Sequence, residues 1–394
     1  MKALNNKKLI LGILISATLL RVLFLILKNY YFNLDYTEDE LNYAIGGQHL
    51  IDHWLHNKNI DFFEFKSIDK GFYYLNSILE IIVGNNITAL QTISIFSWTL
   101  GSYILFKLVK LIFSNREALL TLAGCSYAPF LIYTSTLNTK ESVLYLILNS
   151  TLFFLALLLK KYFQPLYLVG LISCLACLLF FRLYMGLIII TICYITFFIY
   201  VIYNPINKKY LYITALILIA LFSAIPIHEY LIFRIGDKII LSTLCQSVNT
   251  ALQSSCTGKH ILYANVDIKT LGAFLSFLPK SLMMFFAAPL PYIFSKPLSM
   301  FEKLILIEVI PLLILSLYIS KGVYLSLKEQ NFNGKLLILT IALFTTIFTI
   351  IFSTINCNLG TLYRHKSSLY PFYFMFIAYG IRKKHHTLNK NHST

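Results

Sequence analysis

The stretch DYTEDELNYA, residues 35–44, sets Asp39 and Glu40 side by side in a chain with 33 Lys and Arg against 17 Asp and Glu. Carboxylates placed among other ionisable groups are equipped to take a proton, and a third, Glu141, stands beside Lys140 further along. Arg182, Arg364 and His365 add cationic groups suited to an anion, arginine above all, because its planar fork can hold a phosphate through two hydrogen bonds. Moving a group from a phosphate to a hydroxyl needs both kinds of residue. A carboxylate takes the acceptor proton, and cations stabilise the departing phosphate. Asp39 is the expected base, Glu40 a holder of the acceptor or of the base's orientation, and Glu141 a second carboxylate. Lys140, Arg182, Arg364 and His365 are the expected phosphate ligands.

These groups need a scaffold, and composition indicates which. At 394 residues, 58% hydrophobic and 13% charged, the chain falls outside the soluble class and inside that of polytopic membrane proteins. The expected fold is an all-α transmembrane bundle forming one integral domain over residues 1–394, since heptads, short repeats and Gly/Ser linkers are absent. A net charge of +16 would suggest nucleic acid in a soluble protein. Here the Lys and Arg lie in short tracts between apolar runs, so they act as topology signals and no nucleic-acid partner is expected. A criterion of about 20 apolar residues places ten spans, at about 9–28, 87–109, 117–135, 142–160, 165–181, 183–203, 210–228, 302–320, 336–354 and 367–382. The basic start MKALNNKK is like a signal-peptide n-region. The apolar run after it is too long, contains Arg21 and lacks a small-residue cleavage site, so it reads as a retained anchor.

The positive-inside rule orients the bundle with both termini in the cytoplasm. Tracts around Lys107, Lys110 and Arg116, at Lys160 and Lys161, at Lys208 and Lys209, between Lys321 and Lys335, and from Arg382 to His386 then share one side, against anionic membrane lipid. The other side receives a first loop of about residues 29–86, a tip at 136–141, a turn at 181–183, a large loop of about 229–301, and residues 355–366. Residues 271–293 are apolar enough to span, but counting them would invert the basic tracts that follow. Pro279, Lys280, Pro289 and Pro291 also interrupt them, so an interfacial or re-entrant segment is expected. Within the first loop Leu41, Ala44, Ile51, Trp54 and Leu55 recur at helical spacing, which predicts an amphipathic helix lying on the membrane. GFYYLNSILEIIVG is too short to cross and reads as a second interfacial piece.

An apolar first helix containing an Arg, followed by an outer loop with Asp-Glu-x-x-Tyr, resembles the GT-C superfamily of polyprenyl-phosphate-sugar-dependent glycosyltransferases. Protein mannosyltransferases and the aminoarabinose transferases of lipid A are its nearest well-known relatives, and the matching positions are Arg21, Asp39, Glu40 and Tyr43. The run from Asn85 to Ile147 is similar to that superfamily's second to fourth helices, with Pro129 near the end of the third and Glu141 opening the fourth. FFRLYMGL around Arg182 and GTLYRHKSSLYPF around Arg364 and His365 also look like family positions. The resemblance covers most of the chain. It implies a polyprenyl-phosphate-linked sugar as donor, a lipid, glycan or protein acceptor on the extracytoplasmic face, a single inverting displacement, and supporting roles for Tyr43 and Arg21. Cell-envelope biogenesis, lipopolysaccharide included, is the expected setting, and the Lys-, Asn- and Ile-rich composition suggests a bacterial inner membrane. One departure is KGFYYL at residues 70–75, where many members carry a Pro-rich tract.

Each residue also fits a plainer role. The Asp-Glu pair would be simply solvated, Glu141 would cap a helix after Asn138 and Thr139, and Arg182 and Arg364 would snorkel from helix ends. Arg21, a charge inside a span, would pair with loop acid. His49 and His53 stand four apart but lack a metal-ligand set, so no metal is assigned and a divalent cation stays open as cofactor. No Gly-rich phosphate loop supports nucleotide use. Cys174 and Cys177 lie on a predicted membrane helix, which argues against redox or zinc chemistry, whereas Cys245 and Cys256 share the large outer loop and would close a disulfide in an oxidising compartment. Two other classes remain. A polysaccharide polymerase or O-antigen ligase would work through Arg234, Arg364 and His365, and a lipid-linked glycan flippase or transporter would line a central path with charge.

Overall fold

In a membrane, backbone polar groups have no water to bond with, so apolar runs close their hydrogen bonds within helices. The computed structural model describes residues 2–31, 37–56, 70–84, 86–160, 164–203, 241–256, 261–263, 266–290 and 300–382; the expected span at 210–228 and Arg234 lie outside these. The helices are α1 (Lys2–Ile26, continued by a π-helical turn at Leu27–Tyr31), α2 (Glu38–His56), α3 (Lys70–Val83), α4 (Ile87–Ile112), α5 (Asn115–Tyr127), α6 (Pro129–Ser135), α7 (Glu141–Lys160), α8 (Pro165–Phe181), α9 (Leu183–Tyr203), α10 (Leu241–Ser255), α11 (Leu271–Ala287), α12 (Met300–Glu329), α13 (Phe332–Ile355), α14 (Leu359–Ser367) and α15 (Tyr370–Gly380).

Six stretches among the described residues are long and apolar enough to cross a membrane: Asn6–Tyr31, Ile87–Ile112, Glu141–Lys160, Leu183–Tyr203, Ile305–Glu329 and Phe332–Ile355. Together α5 and α6, bent by 65°, would make a seventh. The bend falls where Pro129 offers no N–H to the preceding turn. The ten expected spans are thus not all found. The run at 165–181 makes a helix of 17 residues, and that at 367–382 yields α15, of 11 residues. Every residue of α15 except the partly buried Phe374 is buried. An all-apolar helix reads alike whether lipid or protein surrounds it, so hydropathy counts such a helix as a span. Residues 271–287 form a 17-residue helix, capped by Thr270 and packed on α13, that is below spanning length.

Close helix contacts rest on small and hydroxylated residues. A Cβ at Gly322 would strike the carbonyl oxygen of Phe376, and one at Gly380 that of Tyr318, so α12 and α15 cross backbone to backbone. Gly322→Leu is therefore expected to unseat α15 and abolish the monodisperse peak in detergent chromatography. The matched control is Gly12→Leu, where a Cβ meets nothing within 4 Å. Thr18 and Thr99 share a hydrogen bond of 2.9 Å between α1 and α4, and Thr196 and Thr340 one of 2.7 Å between α9 and α13.

The two helices expected to be interfacial, α2 and α3, pack on each other. Tyr43, Ala44, Gly47, Leu50 and Ile51 are buried, while Leu41, Ile45, Trp54 and Leu55 stay exposed, so α2 is apolar on two faces: one for the protein, the other suited to the membrane surface. Ser77 Oγ donates to the carbonyl of Gly47 at 3.1 Å. Beside that contact the Glu80 carboxylate is buried with neither oxygen partnered among the described residues, and burial pushes it up to about 7. Its folded value exceeds the ordinary one, so the folded state holds an extra proton between the two, and stability of the helix pair falls as pH rises through that window. Hydrogen exchange in α3, corrected for intrinsic rate, should therefore be faster at pH 8 than at pH 5, and Glu80→Gln should remove the difference.

Candidate active site

Asp39 and Glu40 open α2, where acid favours the positive end of the helix dipole. Thr37 and Glu40 form a capping box: Thr37 N–H donates to Glu40 Oε2 at 3.0 Å, and Glu40 N–H to Thr37 Oγ1 at 3.3 Å. The same carboxylate accepts from Gln91 Nε2 at 2.6 Å, from Asn138 N–H at 3.0 Å and from Lys28 Nζ at 3.3 Å. Glu40 is fully buried. Burial pushes its carboxyl up, but Lys28 and the bonds from Thr37, Gln91 and Asn138 outweigh that and hold it below its ordinary value. It binds together the end of α1, the start of α2, α4 and the turn leading to α7.

Asp39 faces elsewhere. It forms an ion pair with Arg364 of α14, in which the side chains are 42% and 23% exposed respectively. Arg364 also feels Glu141, the first residue of α7, and Tyr43 of α2. The Lys140 ammonium lies 5.8 Å from the ring centre of Tyr43. Arg182, the single residue between α8 and α9, bonds to His365 Nε2. Burial, then Arg182, Lys140 and Arg364, push the His365 imidazole well below its ordinary value, so it is neutral and accepts from Arg182 through Nε2. Its ring stacks on Phe352 at 4.7 Å. Asp39, Tyr43, Lys140, Glu141, Arg182, Arg364 and His365 therefore form one cluster fed by α2, α7, the α8–α9 junction and α14.

Arg21 lies apart from this cluster. It donates to Ser135 Oγ at 2.8 Å and to the carbonyls of Ser126 and Ala17 at 2.9 and 3.0 Å, with its guanidinium 3.3 Å from the ring centre of Trp98. Its partners are hydroxyl, carbonyl and indole rather than loop acid, and they brace α1 against the bend between α5 and α6.

The helix that delivers Arg364 and His365 is anchored at its start. Asn358 caps α14 by accepting from Gly360 N–H at 2.8 Å, and Cys357 is disulfide-bonded to Cys256. This corrects the expected pairing of Cys256 with Cys245, which is free and buried. Cys245 sits on the rigid helix that ends just before Cys256, so about 16 Å of helix separates them, beyond the roughly 7 Å that a disulfide can span. Leu262 N–H donates to the carbonyl of Cys357 at 2.7 Å, which brings the two chain segments side by side.

Behind the cluster is a pair that sequence reasoning passed over. Glu308 of α12 accepts from Phe130 N–H at 2.6 Å, where the bent span restarts. The Lys366 ammonium lies 4.7 Å from the ring centre of Tyr363 and 5.5 Å from that of Phe285. Burial lowers Lys366 below the ordinary ammonium range against the pull of Glu308. The available signal was a carboxylate inside the apolar run LILIEVIPLL. Among the described residues no three His, Cys, Asp or Glu side chains are grouped to hold a metal ion, and the cluster's two acids both face Arg364, so these residues offer a divalent cation no ligand set.

Residues 71–228 match the family model for dolichyl-phosphate-mannose-protein mannosyltransferases. No curated protein matches the sequence. Among solved structures, an oligosaccharyltransferase of Archaeoglobus fulgidus in its apo form is similar at a TM-score of 0.55 and 14% identity, over 93% of this chain and 50% of that one. ArnT from Cupriavidus metallidurans bound to undecaprenyl phosphate is matched at a TM-score of 0.46 and 11% identity, over 78% of this chain and 48% of that one. The chain thus spans about half the length of these structures. The fold is thus similar to that of the archaeal oligosaccharyltransferase, and residues 71–228 carry the sequence pattern of the dolichyl-phosphate-mannose-protein mannosyltransferase family.

Proposed function

We propose that the protein transfers a sugar from a polyprenyl-phosphate-linked donor to a hydroxyl of a lipid, glycan or protein acceptor on the extracytoplasmic face of a bacterial inner membrane, with both termini cytoplasmic. The observation that carries this reading is a half-exposed carboxylate, Asp39, at the edge of a group of buried and half-buried cations. The acceptor oxygen attacks the anomeric carbon, the bond from that carbon to the phosphate oxygen breaks, and the lipid phosphate leaves with the electron pair. The acceptor proton passes to Asp39, and no covalent intermediate is required.

Charge supports the same reading. Asp39 and Glu141 against Lys140, Arg182 and Arg364, with His365 neutral, leave the cluster at net +1 (three cations minus two acids). A sugar-linked lipid phosphate, a diester, carries one negative charge. Once Asp39 holds the proton the cluster rises to +2, as the leaving lipid phosphate becomes a monoester with close to two charges. Glu40 and Arg21 act as positioning residues in this scheme. Placement on the extracytoplasmic side is supported by the disulfide at the head of α14, since such bonds persist in oxidising compartments.

A deletion strain complemented with wild type, Asp39→Asn or Arg364→Ala tests the proposal, with surface glycans and lipid A read by mass spectrometry. A glycan lost on deletion should return with wild type and with neither variant. The central place of Arg364 and His365 also suits a polymerase or ligase. That reading takes over if Asp39→Asn restores the glycan and Arg364→Ala does not.

A further inference from the structure

Arg364 has two claimants. In this structure it is paired with Asp39, the proposed base, and in the proposed reaction it must hold the donor phosphate. One guanidinium cannot give its best two-pronged geometry to both anions, so the two uses compete. We infer that the Asp39–Arg364 pair is a hand-over contact: the donor phosphate takes Arg364 from Asp39, and only then is Asp39 released to accept a proton. This rests on the proposed function and adds an order to it, lipid phosphate first and acceptor second.

Three features fit this role. The contact is the most accessible part of the cluster, Asp39 being 42% exposed, so an incoming anion reaches it without unpacking the core. Arg364 stays held when Asp39 lets go, because Glu141 faces it and the anchored helix α14 fixes its backbone. Asp39 itself stays in place because the neighbouring Glu40 clamps the first turn of α2 through Thr37, Gln91, Asn138 and Lys28. Without donor, the base is masked by a countercharge, which suppresses proton abstraction from a stray hydroxyl. With donor bound, Arg364 is engaged by phosphate and the Asp39 carboxylate is open to the acceptor hydroxyl.

The hand-over predicts that removing Asp39 improves binding of lipid phosphate, whereas a base that does not share Arg364 would leave binding unchanged. The experiment uses the purified full chain in nanodiscs, with undecaprenyl phosphate as probe, and compares wild type, Asp39→Asn, Arg364→Ala and the double variant. Asp39→Asn should bind about 3- to 10-fold tighter, the scale of one partly exposed charge-assisted pair. That gain should disappear in the Arg364→Ala background. A gain that persists there would reflect general repulsion between Asp39 and phosphate and would overturn the hand-over. So would equal or weaker binding by Asp39→Asn, checked with Asp39→Ala as a second variant. Failure of all four proteins to bind the lipid phosphate would overturn the proposed donor class together with the hand-over, which separates the two failures.

Discussion

Asp39→Asn should reduce sugar transfer by a factor of about 10²–10⁴, the usual contribution of a positioned general base, with no loss of folded protein. The amide preserves the shape of the side chain, and the position is half-exposed in the first turn of α2. Arg364, the partner left behind, keeps Glu141 as a second acid, so no charge is stranded. The measurement is transfer in membrane vesicles normalised to protein content, with the melting temperature of the purified variant beside it. A fall in activity matched by a fall in melting temperature would assign Asp39 a structural part. Activity within a factor of two of wild type would remove it from the chemistry.

Glu40→Ala, one residue further on, should behave in the opposite way. Breaking a buried ion pair by deleting one partner costs about 3–5 kcal/mol, because the remaining charge has lost its counterion in a medium that solvates it poorly. Here Lys28 would lose its carboxylate, while Gln91, Asn138 N–H and Thr37 N–H would lose an acceptor. The variant should melt well below wild type in detergent at every pH near neutrality. Combining it with Lys28→Met, which removes the second charge, should recover a large part of the loss. Equal destabilisation of the single and double variants would show that the hydrogen bonds, rather than the ion pair, dominate. The pH sign is also set. Glu40 is held below its ordinary value, so its contribution is complete at neutral pH and is lost as pH falls through that lowered value.

Much of the cluster was legible in the sequence. Asp39, Lys140, Glu141, Arg182, Arg364 and His365 come from four distant stretches, yet each falls in or beside a loop that the order of basic tracts assigns to one face. Common sidedness is a weak constraint on distance, but in a narrow helical bundle it brings loop residues close. The same reasoning could not tell an interior helix from a span, because hydropathy measures transfer from water and is blind to what replaces it. That is why α15, sheathed by α12 and α5, reads like a lipid-facing run. The disulfide was open for a related reason. Membership of one outer loop made Cys245 a candidate partner for Cys256, whereas a rigid helix keeps them apart and an antiparallel contact supplies Cys357 from 101 residues away.

By itself the sequence determined the class of the molecule, an all-α membrane bundle, because burial of apolar surface and the need to close backbone hydrogen bonds away from water act on composition and order alone. Which of two neighbouring carboxylates is open to a substrate was decided only by tertiary structure. Successive residues on a helix point about 100° apart, so Asp39 and Glu40, adjacent and chemically alike, face different surroundings. One turns toward Arg364 at the edge of the cluster. The other turns inward to Lys28, Gln91 and the backbone of Asn138, and no property of the dipeptide records that choice.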